Sequence, residues 1–389
     1  MRILRAVLLG LIAILVITSH GTARAETEKV NIFFNGQVLS YPDQQPIIDG
    51  ESVMVPLRYT AEKMGLTVDW DGQTQSALIN NDEDIFCFIP GRQEVMQNEK
   101  TLTGWQELKC INGRIMVPLK LMADVFGYKM QKSDGKVILT SKPIVITPDL
   151  SIQKVREKVY VVIHCFPWSC NSLLVEMNDG QLVLIDTPNT PEATRDLLQW
   201  IGKRFVDRKI TAFNAHFHAD CLGGNQALLE KNIKIYGSEL TAKMIAERGE
   251  DVRTQAISGL TGPENQRYRE AYEKMPYIAP TPLSGLEDGR SLDFNGEKLE
   301  IYYPGEAHAP DNLVLYFPHK QILFGGCMVK SIDSKTIGNT SDANLKAWPQ
   351  SIQKVIERYP EADLVIPGHG AWGSKELLLH TLNLVNTAS

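Results

Sequence analysis

Directly after an apolar stretch, Ile210 to Ala215, the chain reads His216-Phe217-His218-Ala219-Asp220-Cys221-Leu222-Gly223-Gly224. If this backbone stays extended, side chains alternate, so His216, His218 and Asp220 project to one side while Phe217 and Ala219 pack away. Two imidazoles and a carboxylate converging on one point suit a metal ion. A lone His-x-His is more often a pair of surface or core histidines. The Asp at the next alternate position, and a Gly-Gly able to make a tight turn, turn the balance toward ligands. Three more ligand types follow, each where an apolar run meets a loop. His308 stands in Gly305-Glu306-Ala307-His308-Ala309-Pro310-Asp311-Asn312, Cys327 in Leu323-Phe324-Gly325-Gly326-Cys327-Met328-Val329-Lys330, and His369 in Val365-Ile366-Pro367-Gly368-His369-Gly370. Zinc accepts neutral imidazole, thiolate and carboxylate at about 2.0 to 2.3 Å, and a catalytic site keeps one position open for water. Three ligands and three make two such sites.

The elements that must position these residues are legible as periodic runs. Val159 to Ile163 and Leu173 to Met177 read as strands of a hairpin, Leu182 to Asp186 as a buried strand, Pro191 to Arg204 as a helix and Ile210 to Ala215 as another strand. Helices and strands then alternate, with late helices at Leu345 to Tyr359 and Leu377 to Val385. The pattern predicts an α/β fold of two sheets faced by helices. Ahead of it, Val55-Pro56-Leu57-Arg58 and Gly65 repeat as Val117-Pro118-Leu119-Lys120 and Gly127 at one shared offset. Each copy predicts a strand, a short helix (Tyr59 to Met64, Leu121 to Phe126), a glycine cap, and a strand ending at Asp71-Gly72 or Asp134-Gly135.

The order His-x-His-x-Asp, then His, then Gly-Gly-Cys, then Gly-His resembles the metallo-β-lactamases of the three-histidine plus Asp-Cys-His subclass. The likeness runs from about Ile152 to the end. It extends to Leu184-Ile185-Asp186-Thr187-Pro188, Tyr236-Gly237-Ser238-Glu239-Leu240-Thr241, Asp342-Ala343-Asn344 and Leu377-Leu378-Leu379-His380-Thr381-Leu382. The resemblance implies an αββα sandwich with two zinc ions per catalytic domain, the first on His216, His218 and His308, the second on Asp220, Cys327 and His369. It implies hydrolysis of the amide of β-lactam antibiotics by a zinc-bound hydroxide, which Asp220 also orients as a catalytic residue. Asp186 is then expected behind the ligands, holding the histidine loop. Lys330 resembles the lysine that pairs with the substrate carboxylate, and Asn339 the asparagine near the lactam carbonyl. Read without the family, these two are a solvated lysine and a turn asparagine.

Cys221 is the rival thiolate, since other branches of the superfamily carry a metal-binding His there. In extended backbone it points away from its neighbour Asp220, so Cys327 is preferred. Of the remaining histidines, His20 belongs to the leader, His319 to a hairpin turn, His380 to a helix and His164 to a loop that lines the site at most. Two departures bear on substrate. The hairpin loop from His164 to Ser172, in the place of the family's mobile flap, is short and carries Phe166, Pro167 and Trp168. A segment from about Gly249 to Thr281, rich in Arg, Glu and Tyr, reads as an inserted helix that reshapes the cleft. The alternatives are another hydrolase of this fold, acting on a lactone, ester or thioester, and a cell-surface binding protein.

The repeat resembles the copper amine oxidase N-terminal domain, a smaller α+β module. No histidine lies between Glu26 and Tyr160, so copper lacks its commonest nitrogen ligand, and the module reads as a binding or spacer unit able to touch the cell envelope. The expected organisation is a signal peptide over 1–25, the repeat domain over 26–141, a linker over 142–150 and the catalytic domain over 151–389. Arg2 and Arg5, the apolar Ala6 to Thr18, and Ala23-Arg24-Ala25 compose the leader, which predicts a secreted or periplasmic protein. With 389 residues, 43% hydrophobic and 22% charged, two soluble domains are expected. A net charge of −6 without a basic run argues against nucleic acid; a monomer acting on a small molecule is expected. In an exported chain Cys87 with Cys110, and Cys165 with Cys170, are candidate disulfides.

Overall fold

The two copies of the Val-Pro-Leu repeat pair with each other. In a computed structural model of the protein, strand Ser52–Pro56 lies antiparallel to Arg114–Pro118 with Val55 opposite Val117. The structure describes residues 30–388 apart from 36, 82–83 and 134; the leader expected over 1–25 lies outside them, as does Asp134. Each paired strand ends in proline, and a helix starts at the next residue, Leu57–Lys63 in one copy and Leu119–Val125 in the other. Proline has no N–H to leave unsatisfied at a helix start. Both helices stop before a left-handed glycine, Gly65 at φ +75° and Gly127 at φ +73°, as a glycine cap requires. Three small sheets of four, four and five strands surround a core that includes Val55, Ile79, Phe86, Phe88, Val117 and Leu121.

The second half is a two-sheet sandwich. The first sheet has eight strands in sequence order: β1 (Ile144–Val145), β2 (Leu150–Arg156), β3 (Val159–Cys165), β4 (Ser169–Glu176), β5 (Leu182–Ile185), β6 (Ile210–Phe213), β7 (Lys234–Ser238) and β8 (Thr281–Leu283). The second has five: β9 (Arg290–Phe294), β10 (Glu297–Tyr302), β11 (Val314–Phe317), β12 (Ile322–Gly326) and β13 (Leu364–Pro367). Alternation along the strands explains the layers. Val159, Val161, Leu173, Val175, Val183 and Ile185 face the second sheet and meet Leu299, Ile301, Leu315, Ile322, Phe324 and Ile366. Their neighbours Tyr160, Leu174, Leu182 and Leu184 face outward onto helix α1 (Pro191–Arg204) through Leu197 and Ile201. On the far side, Val314, Tyr316, Leu323 and Val365 pack under α6 (Trp348–Arg358) and α7 (Glu376–Ala388). Both faces of each sheet are covered, so the central strands read as continuous apolar runs. Each fully buried Val, Leu or Ile contributes about 1.5 to 3 kcal/mol.

Between these sit α2 (Ala219–Leu222), α3 (Asn225–Glu230), α4 (Glu239–Ser258) and α5 (Gln266–Lys274). The segment 142–150 is not bare coil, because β1 within it pairs antiparallel with Ser151 and Ile152. The two halves touch through polar contacts. Asn35 Oδ1 accepts from Gln153 Nε2 at 3.4 Å, and Ser141 Oγ donates to Lys154 O at 3.1 Å. Among the described residues, no buried apolar cluster combines side chains from both halves. No helix among them is long and apolar enough to cross a membrane.

Candidate metal centre

All six expected ligands come to the same rim of the sandwich. His216 follows β6, His308 precedes β11, and Cys327 and His369 stand one and two residues beyond the ends of the parallel neighbours β12 and β13, where Gly326 is in register with Pro367. Side chains at adjacent parallel strand ends share one direction and one height, which brings donors 42 positions apart into contact.

His216, His218 and His308 form one group, with ligand atoms within 4.8 Å of one another. His216 Nε2 is 3.1 Å from His218 Nδ1. His308 Nδ1 is buried without a hydrogen-bond partner among the described residues. Burial, then the neighbouring His218, hold its pKa well below the ordinary value, so it is the neutral imidazole that a metal binds. In the second group, Asp220 Oδ2 lies 3.0 Å from His369 Nε2 and accepts from Cys327 Sγ at 3.1 Å, while Cys327 Sγ is 3.3 Å from His369 Nε2. His369 Nδ1 faces the Ser169 carbonyl at 2.7 Å, which leaves Nε2 directed at the carboxylate and thiol. The groups adjoin, His216 Nε2 being 3.7 Å from Asp220 Oδ1. Buried imidazoles, a thiol and a carboxylate at these separations fit zinc in kind and number.

The backbone here departs from the extended chain that alternation assumed. β6 ends at Phe213, residues 215–218 bend, and Ala219–Leu222 is a helical turn. Phe217 and Ala219 are buried as expected, each in a different apolar cluster. Cys221, however, does not point away. Its Sγ comes to 2.7 Å from His216 Nδ1 and donates to Asp186 Oδ2 at 3.1 Å, and it falls within the group His216, Asp220, Cys221 and Cys327. The two thiols differ electrostatically. The hydrogen bond from Cys221 and the nearby His369 and His216 hold Cys327 well below the ordinary thiol range, while burial pushes Cys221 well above it.

The Gly-Gly has a different reason from the turn expected. Gly223 at φ −58° and Gly224 at φ −91° occupy conformations open to any residue. A Cβ on Gly223 would overlap the Asn189 carbonyl, and one on Gly224 the Thr194 side chain, so the glycines allow close packing.

Asp186 sits behind the ligands, buried, at φ +58°. Its Oδ1 accepts from Ala215 N at 2.7 Å and its Oδ2 from Cys221, tying down the loop that carries His216. Burial pushes its pKa up to about 8. Asp342 was not singled out as a site residue in the sequence, yet its Oδ2 is 3.0 Å from His218 Nε2 and its Oδ1 accepts from Arg248 Nη2 at 2.7 Å. The hydrogen bond from His218 holds its carboxyl at about 2. Only the short Asp-Ala-Asn match pointed toward it.

Lys330 follows the Cys327 turn with its Nζ 5.3 Å from the Trp348 ring centroid. No carboxylate pairs with it among the described residues, and burial lowers its pKa despite Cys327 and Asp220 nearby. Asn339 is exposed at a turn, its Oδ1 accepting from Ser341 N at 2.9 Å and Ser341 Oγ at 2.8 Å. His164 is buried, accepts from Asn189 N at 3.0 Å and stacks on Phe166. All six cysteines are free thiols, so neither candidate disulfide is formed.

Residues 33–140 match the copper amine oxidase N-terminal domain, and residues 165–369 match the metallo-beta-lactamase superfamily. Relatives include a metallo-beta-lactamase type 2 of Bacteroides fragilis, 32% identical over 64% of this chain and 90% of its own length. One of Bacillus cereus is 34% identical over 61% of this chain and 84% of its own. Among solved structures, a metallo-beta-lactamase from Pontibacter korlensis is similar with a TM-score of 0.51 and 33% identity, covering 61% of this chain and 99% of that one. The DIM-1 metallo-beta-lactamase gives 0.51 and 32%, covering 62% and 99%. With a repeat module of copper amine oxidase N-terminal type ahead of its ligand-bearing sandwich, the chain belongs to the metallo-beta-lactamase superfamily.

Proposed function

We propose that the protein is an exported dizinc β-lactamase. The observation that carries this is the adjoining of two three-donor groups, His216, His218 and His308 beside Asp220, Cys327 and His369, in a fold whose relatives are named metallo-beta-lactamases. The low thiol pKa of Cys327 against the raised one of Cys221 supports Cys327 as the thiolate. When bound, zinc supplies a Lewis acid and acidifies a water to near-neutral pKa. Asp220, whose Oδ1 faces the histidine group, orients the attacking water between the two groups. Asp186 keeps the histidine loop in register from behind. Lys330, a cation without a carboxylate partner among the described residues, receives the substrate carboxylate. Asn339 spends its Oδ1 on the turn, which leaves its Nδ2 to donate to the lactam carbonyl.

In this reading residues 1–25 are removed on export, 26–141 form the repeat domain, 142–150 join it to the catalytic domain at 151–389, and the mature enzyme acts outside the cytoplasm as a monomer, conferring antibiotic resistance. The repeat module offers a surface for the cell envelope. The test is hydrolysis of penicillins, cephalosporins and carbapenems by the mature protein, with and without a zinc chelator, alongside metal analysis. Chelator-sensitive turnover with close to two zinc ions per chain is expected, falling toward one in Cys327→Ser and unchanged in Cys221→Ser. Turnover that survives complete zinc removal, or zinc content that depends on Cys221 instead, overturns it.

A further inference from the structure

Loops at hairpin tips are ordinarily among the least stable parts of a domain. The tip between β3 and β4 lies beside the metal centre, since Ser169 meets His369 at its base, yet it is held from several directions. The Phe166 carbonyl accepts from Tyr272 Oη at 2.7 Å and from Asn189 Nδ2 at 3.2 Å. The Phe166 ring stacks on His164 at 5.5 Å and meets the edge of Tyr268 at 4.7 Å. The Arg267 guanidinium lies 5.5 Å from the same ring and grips Asp149 with two hydrogen bonds of 2.9 and 3.0 Å. Asp149 in turn accepts from Cys165 N through its backbone carbonyl at 2.8 Å. Tyr268, Tyr272 and Arg267 all belong to α5, the heart of the 249–281 segment. The apolar cluster that Tyr268 and Tyr272 join includes Ala219, which stands between the expected ligand residues His218 and Asp220. Beside the first donor group, where Asp342 meets His218, α4 reaches the 339–342 turn through Gln255 to Ser341 at 3.5 Å and Arg248 to Asp342. One helical pair therefore holds a segment beside each of the two donor groups.

We infer that α5 fixes the 165–168 loop in one position, making Tyr268, Tyr272 and Arg267 specificity-determining residues that set the width of a preformed cleft. A loop already ordered imposes little further ordering cost on a substrate that fits, and it cannot swing aside for one that does not. The cleft thus favours substrates with a compact acyl substituent over bulky ones. The kinetic part of this inference rests on the hydrolase reading above; the pinning itself does not.

The zinc-loaded mature protein is compared with Tyr272→Phe, which removes one hydroxyl, and with Tyr272→Phe/Arg267→Ala. Amide hydrogen exchange across 165–169 is followed, with β5 and β6 as internal controls for the fold. Slow exchange is expected in the wild type. It should rise by roughly fivefold in the single variant and tenfold or more in the double, as loss of one neutral hydrogen bond and then a cation–π contact implies. The kcat/KM of a bulky substrate relative to a compact one, both of whichever class the enzyme hydrolyses, should rise about tenfold in the double variant through KM, with zinc content unchanged. Rapid loop exchange in the wild type, or unaltered exchange in Tyr272→Phe with the controls protected, overturns the pinning. Faster exchange with an unaltered bulky-to-compact ratio overturns the specificity role. If no β-lactam is hydrolysed at all, the β-lactamase reading fails while the exchange result still decides the pinning.

Discussion

Asp342 Oδ2 stands 3.0 Å from Nε2 of His218, with 3% of its side chain exposed, and Arg248 holds its other oxygen at 2.7 Å. The bond puts the His218 proton on Nε2 and leaves the Nδ1 lone pair facing His216 Nε2, in the direction of the first donor group. A partner of this kind fixes both the tautomer and the ring orientation of a metal-binding histidine. Asp342→Ala should therefore weaken zinc binding by roughly ten- to a hundredfold, read by competition with a chromophoric chelator. Unaltered affinity would show that His218 is oriented by its packing alone.

His164 gives the fold an acid limit. Burial lowers its pKa from 6.5 to about 4, with Asp149 and Arg267 acting in opposite directions nearby. Below pH 6.5 the unfolded chain takes up a proton that the folded chain refuses, so the unfolded state binds more protons and stability falls as pH falls. The contribution is whole above 6.5 and lost on the way down to 4. At 1.36 kcal/mol per pH unit this amounts to about 3 kcal/mol. Urea unfolding of the wild type at pH 7.5 and pH 4.5 should show a larger loss than in His164→Gln. Equal losses in the two proteins would remove His164 as the cause.

The two halves of the chain each bury their own core and meet through polar contacts such as Ser141 with Lys154. Deleting residues 26–141 while keeping β1 should leave zinc content and kcat within about twofold of the full mature protein, because domains with separate cores fold separately. A deletion that also removes Ile144–Val145 strips the edge strand from β2 and should lower the melting temperature. A folded, zinc-loaded truncation with a collapsed kcat would place part of the active site in the repeat module.

Much of this was legible where local pattern and fold agree. The α1 helix at Pro191–Arg204 and the repeat marked by Val55 and Val117 stand in the structure as the sequence pattern predicts. Three features were not. Asp342 lies 124 positions from His218 in a polar turn without periodicity, and only folding pairs them. Strand alternation turns Cys221 outward, but the two residues before it begin a helical turn, whose 3.6-residue period returns its thiol to His216. The short strand Ile144–Val145 hides between Pro143 and Pro148, and prolines at a sheet edge imitate a linker.

Lys330 separates a β-lactamase from a general hydrolase on this fold. Its ammonium sits near Trp348 with no carboxylate partner among the described residues, beside the turn that presents Cys327. A β-lactam carries a carboxylate next to its ring nitrogen, whereas simple lactones and many esters carry none. A hydrogen bond to a charged group contributes about 1.5 to 3 kcal/mol, and each 1.36 kcal/mol is tenfold in rate. Lys330→Ala should thus lower kcat/KM for β-lactams by roughly ten- to a hundredfold, with zinc content unchanged and turnover of a neutral ester nearly intact. Lys330→Arg should recover part of the loss, because it restores the charge in a different shape. Equal damage to both substrate classes would mean that Lys330 supports the Cys327 turn through its packing on Trp348 and does not meet a substrate carboxylate.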